Sequence, residues 1–192
     1  MAAIGLRYLA YAPLTEDPVA GTFEYGTGKV GRKMINANIS LNISDTPLYA
    51  DDNVAERVKE FIDGTIAIGQ DELTDAMRTD FFGNVSTDET VGETTVKNVT
   101  SKDTDTSPML GVAFIQTKII DNARKYRAVL LTKTQFGEAN ETGETKGQNI
   151  SWQTPTINGA LMRRIDGVWK EEITADSLAT AVAWIKGKLN MV

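Results

Sequence analysis

The sequence predicts a mainly β fold of the α+β kind: an antiparallel β-sandwich or barrel-like domain with one packed central α-helix and a C-terminal helix. Three observations lead there. Residues 34–44 alternate without a break, with Ile35, Ala37, Ile39, Leu41 and Ile43 against Asn36, Asn38, Ser40, Asn42 and Ser44, the period of a strand. Residues 124–164 carry two further arms of β-type composition around a polar, Gly-punctuated loop, GEANETGETKG. Only two stretches, after Asp71 and after Asp176, repeat their apolar residues at helical spacing.

At 192 residues, with 41% hydrophobic and 24% charged side chains, one globular domain spanning 1–192 is expected, long enough to bury a core. No apolar run approaches the roughly 18 residues of a membrane span, and the amino end lacks the pattern of an export signal. There is no cysteine and no histidine. Disulfides, thiolate nucleophiles and the usual general base and zinc ligand are therefore missing together. A glycosidase needs only two carboxylates across a cleft, but nothing in the spacing singles out such a pair. The expectation is a protein that is not an enzyme and holds no cofactor or metal. Charge is uneven: 45–105 has 15 acidic and five basic residues, the remainder 11 and 15. Solvated faces account for this, and so does a surface that meets a complementary one or repels nucleic acid.

In chain order, 4–12 reads as a first strand closed by Pro13. The link that follows contains GTGKVG at 26–31, a literal dinucleotide fingerprint. That fingerprint requires a helix behind it; a strand follows instead, so the glycines read as a loop. The aliphatic face of strand 34–44 is expected inside the fold, its Asn/Ser face wet or toward a polar neighbour. Residues 45–56, DTPLYADDNVAE, read as a long loop; Asp45, Asp51, Asp52 and Asn53 lack the spacing of a calcium loop. Strand 57–69 carries Ile62, Gly64, Ile66 and Ile68 on one face. A helix capped by Asp71, with Leu73, Ala76, Met77 and Phe81 as its stripe, ends at Gly83. The polar insertion 84–107 is either a short exposed hairpin or a mobile loop. A strand from Met109 turns at Asp121 and Asn122 into the first arm, 126–133. The second arm runs from Asn149 to Arg163, with Pro155 marking an edge or a bulge. A tight turn at IDG, a short strand at VWKEEIT and a helix capped by Asp176, striped by Leu178, Val182, Ile185 and Leu189, complete the chain.

Several of these pieces are similar to the major tail proteins of long-tailed bacteriophages. They are GLRYLAYAPLTED at 5–17 with Tyr25 and Gly26, LYADD at 48–52, the basic strand ending at Lys133 to Phe136, ETKG at 144–147, the run Trp152 to Thr156, and DGVWK at 166–170. Together they cover most of the chain in matching order. The resemblance implies a tail tube fold and a virion protein, made in the host cytoplasm, that assembles with itself into stacked, hexameric rings forming the tail tube. Its partners would be further copies, the tape measure and tail-end proteins. DNA would pass through the lumen without specific binding, and no membrane is involved. In that family the loop at 45–56 reaches the neighbouring ring, which makes Leu48 and Tyr49 candidate anchors and Asp51 and Asp52 a candidate charged rim. The long, alternating arms with their edge proline make Val129, Leu131, Trp152 and Pro155 candidates for a sheet continued between subunits. The competing reading is a monomeric β-sandwich binding module displayed on a virion or cell surface.

Overall fold

A computed structural model describes residues 3–50, 53–140, 143–145 and 152–192. Among them the chain is mainly β, with antiparallel sheets and two helices. Strand β1 (Ala3–Asp17) is longer than expected and is bent at Tyr8, where φ is 59° and the register against its neighbour slips between Arg7 and Ala10. The Asp17 carboxylate accepts hydrogen bonds from the amides of Val19 and Ala20, an Asx turn that reverses the chain into β2 (Thr22–Tyr25). The glycine link supplies β3 (Lys29–Val30), paired with Ala10 and Tyr11, and runs into a strand rather than a helix.

β4 (Met34–Ala50) and β5 (Asn53–Gln70) form one hairpin, paired from Met34 opposite Gln70 to Ala50 opposite Asn53. Segment 45–56 is therefore strand on both sides of the two undescribed residues, not the loop that its sequence predicts. Pro47 is tolerated because it sits on an outer strand, where a missing N–H breaks no inner ladder. α1 (Asp75–Phe82) is capped by Thr74, whose Oγ1 accepts from the Met77 amide, not by Asp71. Asp71 is occupied at the hairpin base, where its carboxylate accepts from the Lys33 amide. Gly83 ends the helix at φ 78°, and a Cβ there would lie 2.4 Å from the Thr106 carbonyl oxygen; both the left-handed backbone and the space demand glycine.

β6 (Val85–Val91) and β7 (Thr94–Thr100) make a separate exposed hairpin, the first of the two readings of the polar insertion. β8 (Met109–Ile120) and β9 (Ala123–Phe136) are joined at Asp121 and Asn122, with φ of 50° and 58°, the paired positive angles of a tight hairpin turn. The second arm is shorter than predicted: β10 spans Thr156–Met162, and 152–155 is not strand. β11 (Lys170–Ala175) follows, and α2 (Leu178–Lys188) is capped by Ser177, the residue after the expected Asp176. Asp176 instead pairs with Lys125.

The main sheet runs β2-β1-β8-β9-β10-β5-β4, with β11 beside β9 and β3 beside β1. Its central strands are buried on both faces. On one, Leu9, Val112, Phe114, Val129 and Leu131 share a core with Phe81 of α1 and with Ile66 and Ile157 from β5 and β10. The sheet thus curls, bringing its later strands over its first. On the other face Ala10, Ala12, Ala113, Ala128 and Ala175 meet Ala181 and Ile185 of α2. Large residues fill the curled side, while the helix side mixes alanines with Ile115 and Leu130, a combination that packs closely under α2. Substituting Ala128→Leu is expected to cost about 1–3 kcal/mol by lifting α2; urea unfolding measures this, and an unchanged midpoint would mean that α2 does not bear on Ala128.

Candidate assembly surface

The β4–β5 hairpin outruns the body that carries it. β5 pairs with β10 only from Gly69 to Gly64; farther out its sole strand partner among the described residues is β4. The root is braced by Phe61, stacked on Trp169 with ring centroids 4.6 Å apart, and by Glu60, bound to Arg163 at 2.8 Å. From Lys59 outward the ion pairs close across the ribbon itself, Asp45 meeting Arg57 at 2.5 Å and Lys59 at 3.7 Å. Asp45 is thereby taken by side-chain cations, and Arg57 holds its carboxyl below the ordinary 3.8. At ~3.3 Å per residue, seven residues of each strand project about 20 Å. A lone two-stranded ribbon is marginally stable in water.

Among the described residues β4 is also the outermost strand, hydrogen-bonded on one edge only, over 17 residues. Its aliphatic face does not go inside as its alternation predicts. Ala37 reaches the core, but Ile35, Ile39, Leu41 and Ile43 stay 37–52% exposed. Register explains the difference. Ile39 stands opposite the buried Ile66 and Leu41 opposite Gly64, so the face is the core face, one strand beyond the point where core atoms cover it. The result is a long, open, apolar edge, which a monomer ordinarily avoids.

The predicted site residues separate into three groups. Leu48 is exposed on the ribbon, 58% accessible; Tyr49 pairs with Val54 in the ladder, while its side chain, Asp51 and Asp52 lie outside the described residues. Val129 and Leu131 are buried, and β9 is hydrogen-bonded on both edges, to β8 on one and to β10 and β11 on the other. They cannot continue a sheet into another molecule; the short β11, which places Glu172 opposite Val129 and Lys170 opposite Leu131, closes the edge that they would have used. Trp152 is 84% exposed but outside any strand. Pro155 precedes β10, and its carbonyl accepts from the Gln70 amide at 3.1 Å, ending the ladder with the only backbone group a proline offers. The open edge at Ile35 to Ile43 was missed as a site, although its alternation was the clearest signal in the chain.

Behind the residues that brace the arm root lies a buried cation. Arg164, 5% exposed, binds the Asp166 carboxylate through two nitrogens at 3.0 and 2.6 Å, reaches Glu171 at 3.3 Å, donates to the Tyr25 hydroxyl at 3.2 Å, and lies 3.7 Å from the Phe23 ring centroid. Tyr25 in turn donates to the Thr132 carbonyl at 2.7 Å, and burial pushes its pKa up. The cluster ties β2 and the turn 164–167 to β9, and the residues flanking that turn, Arg163 and Trp169, are the ones that grip the arm. Arg164→Met should therefore cost about 2–4 kcal/mol, somewhat discounted because the two carboxylates left behind are part-exposed.

Arg164 holds the Asp166 carboxyl below its ordinary 3.8. As pH falls the unfolded chain takes up that proton first, so the stabilisation is whole above 3.8 and disappears as pH drops through the folded value. The stability gap between wild type and Asp166→Asn should be flat at neutral pH and close only below about 4, as denaturant titrations at each pH will read. Among the described residues no group of three or more acidic side chains is placed to hold a metal, and no helix is long and apolar enough to cross a membrane. A scan against known protein families finds no match, and no curated protein sequence matches the chain.

Proposed function

We propose that this chain is the structural subunit of a phage tail tube, assembling with copies of itself into stacked, hexameric rings through which DNA passes. One observation carries the reading: a 17-residue edge strand, with no strand partner on its outer side among the described residues and half-exposed along its apolar face, that continues into a projecting arm. Open edges are hazards unless the native assembly pairs them, and among the described residues no strand hydrogen-bonds the outer edge of β4, which β1 approaches only near Ile35 to Ala37. The motifs that resemble major tail proteins support the same conclusion by their order. In this arrangement the curled sheet becomes part of a wall shared between copies, with the β4 edge taking over the joining role first assigned to β9. The uncharged Asn and Ser face of β4 and the acidic segment 45–105 would give DNA a surface without the Lys and Arg that hold phosphates. The tape measure and tail-end proteins would meet the ends of the tube.

Negative-stain microscopy of the purified protein tests this. The wild type should form rings or filaments. A variant in which 45–59 is replaced by an Asn-Gly turn should stay folded, since no described residue of that segment belongs to either core, yet fail to build filaments. Normal filaments from the shortened chain would remove the arm from the account, and a wild type that stays monomeric at high concentration would overturn the tube reading in favour of a monomeric binding module.

A further inference from the structure

We infer that the arm of one copy docks on the β8–β9 turn of a second copy, Leu48, Glu56 and Val58 meeting Arg7, Ile119 and Arg124. The inference rests on the self-assembly reading and adds to it the surface that receives the arm.

The two faces of the arm differ. On one, Asp45, Arg57 and Lys59 satisfy one another. On the other, the register sets Leu48 opposite Glu56 and Thr46 opposite Val58, so that Leu48, Glu56 and Val58 stand together. Leu48 and Val58 are about three-fifths exposed, and Glu56 has no cation beside it among the described residues. This is an apolar pair around an unpaired negative charge.

The opposite character is found at the far end of the central hairpin. Ile119 stands directly across from Arg124, and Arg7 across from Ile115, four residues along the same strand and therefore on the same face. Ile119 is 47% exposed. Arg7 and Arg124 make no ion pair among the described residues, whereas the adjacent Lys125 and Arg127 are engaged by Asp176 and Glu172. Even counting Asp121 in the turn, the hairpin end keeps an excess of positive charge. An exposed isoleucine beside one guanidinium group, with a second about 13 Å along the same face, fits two exposed aliphatic side chains around a carboxylate, the apolar contact anchoring and the charges orienting. The exposure of Leu48 and of Ile119 within one chain shows that the surfaces do not meet intramolecularly. Because they are different parts of the same molecule, the contact is heterologous, and such a contact propagates into rings or filaments instead of closing a dimer.

Charge reversal distinguishes the outcomes. Glu56→Arg and Arg124→Glu, both at exposed positions, should each lower the assembled fraction at least tenfold in sedimentation, with unfolding midpoints unchanged. The double variant should regain assembly. In this cysteine-free chain, mixing Glu56→Cys with Arg124→Cys under a mild oxidant should also give a mixed disulfide dimer. Single variants that assemble like wild type, or a double variant no better than the singles without a mixed cross-link, would overturn this pairing while leaving the tube reading intact. A wild type that never assembles would overturn both.

Discussion

The structure depends on β9 being a strand with no free side. Both of its edges are hydrogen-bonded and both of its faces are buried, Val129 and Leu131 against the α1 side, Ala128 and Leu130 against α2. A strand so enclosed must be satisfied completely by its neighbours, since an unpaired N–H or C=O there would have no water to turn to. β8, β10 and β11 supply the partners. The aromatic and branched residues on one face and the alanine-rich set on the other accompany the curl of the sheet and the seat of the helix. Tyr25 extends the same economy: its ring lies so close over Gly111 that a Cβ there would come within 2.4 Å of it, and its hydroxyl reaches the backbone of β9.

From that centre, satisfaction declines outward. β10 covers the C-terminal end of β5, and β5 covers one edge of β4, but among the described residues no strand pairs with the other. Apolar side chains follow the same gradient, from Ile66 at 1% exposure to its cross-strand partner Ile39 at 37%. One residue type in one alternating pattern thus serves as core at one strand and as surface at the next. The arm continues the gradient beyond the body, held at its root by an aromatic stack and an ion pair that the Arg164 cluster keeps in place. Within that cluster Arg164 is buried and its two carboxylates are part-exposed, so removing the cation strands charges that water only partly reaches.

Local pattern sufficed for much of this. Period-two alternation identified β4 and β9, β8 was legible as the strand that restarts at Met109, the Asp121-Asn122 turn was readable from its residue types, and the two helices followed from apolar spacing, with their caps displaced by three residues and by one. Those displacements have a cause in contacts: Asp71 is drawn to the Lys33 amide and Asp176 to Lys125, leaving Thr74 and Ser177 to cap. Proline and paired aspartates made 45–56 read as a loop, because a sequence does not say whether a strand is an edge, and only an edge accepts Pro47 without loss.

Burial was the quantity that pattern could not supply. Alternation says which residues share a face, and it says so correctly for Ile35 to Ile43 and for Val129 and Leu131. Whether that face is covered depends on what the rest of the chain lays over it from far along the sequence, as Ile157 is laid near Ile66, 91 residues away. The residues expected to be inside were therefore left open at β4, and the residues expected at an open edge were enclosed at β9, each by neighbours that no local window contains.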